Sequence, residues 1–233
     1  MDLSEVSSSI YRHPWELSRS ESIMKELKKL NVSGNVLDIG CGDGYFDRLI
    51  IQKNKNVNVY GVDIYLEETV NEGNYKTFKS LKDLPDIKFD YIIMMDVLEH
   101  IKNDKRYLEH IKSRLKDDGK IIITVPAFMK LYSLHDKELR HYRRYDFSRL
   151  SKLLKGCDLK VEKWSYFYFS LILARLMTMN KSMNIGTWDK SEKHIVTWGT
   201  KLILNIDYSV LSLLSRFGIH IPGLSLFCIA SKN

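Results

Sequence analysis

One feature constrains this chain more than any other: a short apolar run that breaks into a cluster of glycines. Val36-Leu37-Asp38-Ile39 leads into Gly40-Cys41-Gly42-Asp43-Gly44, after which Tyr45 to Gln52 resumes with apolar residues at helical spacing. Three glycines in five residues open backbone conformations closed to side chains and let main chain approach a ligand. The segment therefore reads as strand, tight loop, helix. The same alternation recurs at VNVYGVD (57–63), FDYIIMM (89–95) and KIIITVP (120–126), the last started by a turn at Asp118-Gly119. Helical stretches are expected from about Val97 to Leu115 and from Ser148 to Lys155, and further strands near Leu159–Trp164 and at SLFCIAS (225–231). Strands this apolar, separated by helices, predict a mostly parallel sheet covered on both faces, a doubly wound α/β domain.

Composition excludes several alternatives. Hydrophobic residues make up 44% and charged residues 28%, the balance of a globular chain rather than a disordered, collagen-like or polytopic membrane protein. A net charge of +7 favours an anionic partner or surface without saying which. Cys41, Cys157 and Cys228 are odd in number and widely spaced, which argues against a disulfide framework or zinc cluster and fits a reducing cytoplasm. MDLSEVSSSI is acidic and lacks the apolar core of a secretory signal. The first thirty residues read as a helical lead-in through Trp15, Ile23, Met24, Leu27 and Leu30.

Residues 166–223 interrupt the alternation. They are rich in Tyr, Phe, Leu, Ile and Met, but Arg175 and Asp207 break the apolar runs before either reaches a membrane-spanning length. Two readings stand: a pair of helices packed on the core, or a lid that forms a greasy substrate pocket or lies on the inner membrane face. No linker divides the chain, so 1–233 is expected to be one domain, with a helical insert before the last strand.

The glycine loop indicates the ligand. Asp63 closes the second strand 19 residues beyond Gly44, where an acid accepts hydrogen bonds from ribose hydroxyls. A P-loop requires Lys followed by Ser or Thr, which this loop lacks. Instead it carries Asp38 and Asp43, and carboxylates here suit a cationic adenosyl ligand such as S-adenosyl-L-methionine better than a phosphate.

VLDIGCGDG, then GVDI, then FDYIIMMDVLEHI resembles the class I S-adenosylmethionine-dependent methyltransferases in both order and spacing. HPWELSR, HDKELRHYRRYDFSRL and IPGLSLFCIASK extend the likeness to a bacterial and archaeal branch of that family. The resemblance implies a Rossmann-like sheet of seven strands with the last antiparallel; the third, near Tyr75–Phe78, is faint in this sequence. It also implies that Asp38, Gly40, Cys41, Gly42 and Gly44 surround the methionine part and ribose edge of the cofactor. Asp63 would bind the ribose and Ile64 lie against adenine, with Met95 and Asp96 beside the cofactor. Arg19 would reach the cofactor carboxylate or form a surface ion pair. Relatives often place an acid before the Leu-Pro that precedes the fourth strand; FKSLKDLP offers Ser80 or the Leu81 backbone instead.

Candidate catalytic groups fall in two segments. Asp96, Glu99 and His100 follow one strand, and His135, Asp136, His141, Arg143, Arg144 and Tyr145 follow the next. Asp96, His141 and His135 are the catalytic candidates, either histidine serving as general base because imidazole titrates near neutrality. Related quinone and small-RNA methyltransferases hold a metal with ExxEH. The corresponding set here is Asp96, Glu99 and His100, completed by His135 or His141. Asp stands for the first Glu, however, helix-start hydrogen bonds are the competing reading of Glu99 and His100, and no metal is expected. Arg140, Arg143 and Arg144 suggest an anionic acceptor, or else pair with loop carboxylates. The expected activity is O-methylation of a small or lipid-linked acceptor. Nucleic acid is the alternative, disfavoured by dispersed basic residues and no separate RNA-binding module.

Overall fold

The computed structural model describes residues 12–172 and 194–233. Parts of the expected lead-in and insert, at 1–11 and 173–193, lie outside the described residues. Helix α1 (Pro14–Lys29) starts where Pro14 presets a helical φ, and His13 accepts a hydrogen bond from the Trp15 N–H at 3.2 Å. Then follow β1 (Gly34–Ile39), α2 (Tyr45–Lys53), β2 (Val57–Val62), β3 (Asn71–Glu72), β4 (Tyr75–Phe78) and β5 (Phe89–Met95). The chain continues through α3 (Asp104–Arg114), β6 (Leu115–Pro126), α4 (Leu134–Glu138), α5 (Phe147–Lys155), β7 (Leu159–Phe167), α6 (His194–Arg216) and β8 (Ser225–Lys232).

All eight strands form one sheet in the order β3-β4-β2-β1-β5-β6-β8-β7. The run β4-β2-β1-β5-β6 is parallel, whereas β8 is antiparallel to both its neighbours. The expected seven strands are present, the faint third one as β4. The eighth is β3, two polar residues turned back antiparallel on β4, too short to leave an alternation in the sequence. The expected helix from Val97 also divides. Residues 98–100 form a single 3-10 turn, Ile101 is extended, and the Asn103 side chain caps a fresh helix by accepting from the Arg106 N–H. Strand β6 begins at Leu115, earlier than the Asp118-Gly119 turn would place it, and an irregularity between Phe89 and Tyr91 of β5 absorbs the extra residues.

Period-two alternation divides the core between two faces. Leu37, Ile92, Met94, Ile121 and Ile123 pack under α3 and α5. Val36, Ile93, Ile122, Phe227 and Ile229 pack against α1, α2 and α6. Each such side chain, fully removed from water, contributes roughly 1.5–3 kcal/mol.

Helix α6 is tied to α1 by polar bonds. Ser18 donates to Asn205, Asn205 to Glu21, and Tyr208 to Glu26, each at 2.8 Å. Burial pushes the Glu26 carboxyl up, but bonds from Lys163, Lys29 and Tyr208 outweigh it and hold the group below its ordinary value. This pairing fixes α1 against the sheet edge where β1 meets β2 on one side and β5 on the other, the switch point at which open α/β sheets bind ligands.

Candidate active site

The glycine loop crosses the carboxyl end of β1 with Gly40, Gly42 and Gly44 at φ 77°, 58° and 73°. Gly44 caps α2 in this left-handed conformation, and a Cβ there would come within 2.0 Å of the Tyr75 hydroxyl, so no other residue fits. Asp63 lies beneath the loop. Its Oδ2 accepts from the Gly42 N–H at 3.0 Å and its Oδ1 from the Tyr65 N–H at 2.9 Å. Ile64 is 73% exposed at the rim. Ser80 accepts from the Lys82 N–H in its own turn.

A cleft opens beside the loop, lined by Glu16, Arg19, Gly40, Cys41, Tyr45 and Met95. Two arginines from the α1 side border it. Arg12 pairs with both Glu16 and Asp43 and stacks 4.0 Å above the Tyr45 ring. Arg19, almost fully buried, pairs with Asp96 and lies 4.2 Å above the Trp15 ring. Asp96 adopts φ 54°, a costly conformation for a residue with a Cβ. It is held there by its N–H on the Thr124 carbonyl, the Thr124 hydroxyl on Oδ1, and Arg19 on Oδ2. Asp96 and Arg19 are therefore brought together, and Asp96 does not join Glu99 and His100.

Under the loop lies a pair that the sequence did not single out as such. Asp38 and Asp47 are both buried, and among the described residues their oxygens have no partner of good hydrogen-bond geometry. Burial, reinforced by mutual repulsion, pushes Asp38 well above the carboxylate range, and burial lifts Asp47 to about 7. Burial, with the charges of Asp47 and Asp38, likewise drives the Cys41 thiol up, so it stays protonated. Asp47 reads in sequence as an ordinary acid in a helix's first turn; the fold buries it, with Oδ2 against Gly61.

A second group forms beyond β5 and β6. Ligand atoms of Glu99, His100 and His141 lie within 4.8 Å of one another, and the two imidazoles meet edge to face at 4.6 Å. His141 Nδ1 lies 3.0 Å from Asp136 Oδ1, and Arg144 Nε donates to the same oxygen at 2.7 Å. Burial opposes the charge on Asp136, yet these bonds and one from the Ser133 N–H hold its carboxyl well below the usual range. Glu99 is fully buried with both oxygens unpartnered among the described residues; burial first, then the Asp96 charge, push it well above its ordinary value. His135 lies on α4 and is not in the Glu99–His100–His141 group.

The expected arginine patch takes a different form. Arg143 donates to Asp104 at 2.6 Å and to the Lys102 carbonyl, and Arg144 is buried on Asp136 and the Ala127 carbonyl. Of the three, Arg140 faces solvent. Fixing the 141–145 segment takes up the charges that an anionic acceptor would have needed.

Comparison with known proteins bears on what such an edge does. A family model described as "Methyltransferase domain" matches residues 12–163. N-methyltransferase 4 of Papaver somniferum is 31% identical over 45% of this chain and 33% of its own length. Ubiquinone biosynthesis O-methyltransferase of Rickettsia conorii is 26% identical over 56% of this chain and 47% of its own. The chain thus spans half or less of the length of these relatives. A solved S-adenosylmethionine-dependent methyltransferase from Clostridium acetobutylicum superposes with a TM-score of 0.54 at 14% identity, covering 93% of this chain and 91% of that one. With the matched family covering the glycine loop, Asp63, Asp96 and His141 alike, the chain belongs to the methyltransferase-domain family.

Proposed function

We propose that this enzyme transfers a methyl group from S-adenosyl-L-methionine to a hydroxyl of a small or lipid-linked acceptor, with His141 as general base. The observation that carries this reading is the Asp136–His141 pair, whose imidazole meets Glu99 and His100 in the segment that follows β5. The residues fit the cofactor. A glycine cradle lets main chain approach the cofactor, and the Arg19 guanidinium, whose Nε has no partner among the described residues, complements its carboxylate. Asp63 would take the ribose hydroxyls and Ile64 the adenine face. Asp38, Gly40, Cys41, Gly42, Gly44, Met95 and Asp96 would form the wall against the methionine part.

When bound, the cofactor supplies a methyl carbon activated by a positive sulfur. Asp136 accepts a hydrogen bond from His141 Nδ1–H, which leaves the Nε2 lone pair to take the acceptor hydroxyl proton as the oxygen bonds to the methyl carbon and the carbon–sulfur bond breaks, the sulfur leaving as a neutral thioether. Placing acceptor and donor in line accounts for most of the acceleration, and the base adds to it. Met129, Leu134 and Tyr142, each about half-exposed, border the same edge and favour a greasy acceptor over a wholly polar one. In this reading 1–233 acts as one catalytic unit that works in the cytoplasm, and the described end of the 166–223 insert contacts the inner membrane face.

The Glu99–His100–His141 group supports a second reading, in which a divalent cation lowers the acceptor's hydroxyl pKa in place of a free base. Methyl-labelled cofactor incubated with the protein and host extract tests both. Label in the lipid or small-molecule fraction, unaffected by chelator, supports the base reading. Loss of label with chelator and its recovery with added cation would transfer the role to a metal. Label confined to nucleic acid would overturn the acceptor assignment.

A further inference from the structure

Helix α6 presents an apolar ridge to solvent. Trp198, Leu202, Ile206, Val210, Leu213 and Phe217 follow one another at three- or four-residue steps along one face, with exposures from 43% at Leu202 to 75% at Phe217. At 1.5 Å per residue the ridge runs roughly 28 Å. Ile203 and Ile219 widen it, each more than half exposed. A contiguous stripe of this size is uncommon on a protein surface with nothing to cover it. The opposite face of α6, through Leu204, Tyr208 and Leu211, is already buried.

The exposed charges beside the ridge are mainly positive. Lys25, Lys28 and Lys29 are exposed on α1, the neighbouring helix, and Lys25 Nζ lies 6.0 Å from the Tyr208 ring. Arg216 is exposed at the end of α6, close enough to Lys163 for their charges to repel. The acids on α1 and α6 already have partners: Glu21 pairs with Lys201 at 2.5 Å, Glu26 with Lys29 and Lys163, and Asp207 accepts from the Ser170 hydroxyl at 2.7 Å. Among the described residues no helix is long and apolar enough to cross a membrane.

We propose that the α6 ridge and its lysine border are a docking surface for an anionic lipid bilayer. The helix lies in the interface plane, with its apolar side chains among the acyl chains and the lysines on the head groups. A second copy of the chain is the less favoured occupant, because a two-fold contact along this ridge would bring like-charged lysine borders together. Electrostatic attraction to an anionic surface uses that border instead. This inference deepens the lipid-linked acceptor reading: α1, bonded to α6, also carries Arg19 to Asp96, so docking would set the cleft beside the bilayer.

The test is flotation of the full chain with phosphatidylcholine vesicles, with and without phosphatidylglycerol. The protein should float with the anionic vesicles and be released by salt. Ile206→Asp should weaken flotation at least about tenfold. Lys25→Gln with Lys28→Gln should weaken it about fivefold per lysine removed. Both variants should bind S-adenosyl-L-methionine as the wild type does in titration calorimetry, which verifies folding. Wild-type protein that stays at the bottom with both vesicle types overturns the proposal, as does equal flotation of Ile206→Asp. A dimer in sedimentation that Ile206→Asp dissolves, without flotation, assigns the ridge to a second copy. Flotation with no lipid-borne methyl acceptor would leave the docking surface standing and remove the acceptor reading alone.

Discussion

The two halves of the candidate site are built in different ways. The cofactor half rests on main chain: a strand, three glycines and an acid, joined by bonds from the Gly40 and Cys41 N–H groups to the Val62 carbonyl and by a 3.0 Å bond from the Gly42 N–H to Asp63. The acceptor half is held from far along the chain. Arg143 and Tyr145 both bond Asp104, the Tyr142 N–H donates to the Glu99 carbonyl at 2.7 Å, and Arg144 fixes Asp136. Backbone geometry shapes the glycine loop, with the Arg12 and Arg19 ion pairs at the border of its cleft, whereas side-chain bonds hold most of the second half. A single substitution should therefore be confined to one function in the first and spread into folding in the second.

The sharpest test of this contrast is His141→Ala. It should lower turnover by about a hundredfold to ten-thousandfold, the range for loss of a general base, and leave cofactor affinity within about twofold. Equal loss in both would make the residue a structural link between the halves. Next, Asp63→Ala should weaken cofactor binding by about a hundredfold, since two ribose hydrogen bonds to a charged group would go. Unchanged affinity in titration calorimetry would remove the ribose assignment. Asp104→Ala should act on the acceptor half through stability: unfolding in denaturant should show a loss of about 2–3 kcal/mol, with cofactor affinity kept. A variant as stable as the wild type would show that the long-range ties are dispensable.

The smallest effect is read in a slope. Asp47 has a folded pKa raised from 3.8 to about 7, so the folded state holds its proton more tightly than the unfolded chain. Its contribution is full below about pH 4 and is lost as pH rises through about 7. Asp136, held low, behaves in the opposite sense and loses its contribution only as pH falls below the ordinary carboxylate range. Asp47→Asn should thus lessen the fall in melting temperature between about pH 4 and 7, to which Asp38 and Glu99 also contribute, and leave the acid limb as it was. A wild-type slope in that variant would place the proton on another group.

The same contrast explains how much could be read in advance. The parallel strands were legible because Val36–Ile39, Ile92–Met95 and Ile121–Val125 are buried on both faces and therefore apolar except at Asp38 and Thr124. Asp63 was legible because a fixed spacing from the glycine loop places an acid at the end of β2. His141 appeared only as one of two histidines. What favours it over His135 is the bond to Asp136 and the meeting with His100, partners 5 and 41 positions away. Thr124, Arg12 and Asp47 carried no signal, since a strand threonine, a stray arginine and a first-turn acid are ordinary anywhere.

Sequence by itself determined the sheet, its covered faces, the glycine cradle and the acid beyond it, because these depend on periodicity and on backbone freedom that few residues provide. Tertiary structure alone decided which charges face inward. It tied Arg143 and Arg144 to carboxylates, set Asp38 against Asp47, turned Asp96 to Arg19, and left the apolar stripe of α6 facing water. A side chain's charge is written in the sequence, but its partner is fixed only when distant segments are packed to within hydrogen-bond reach.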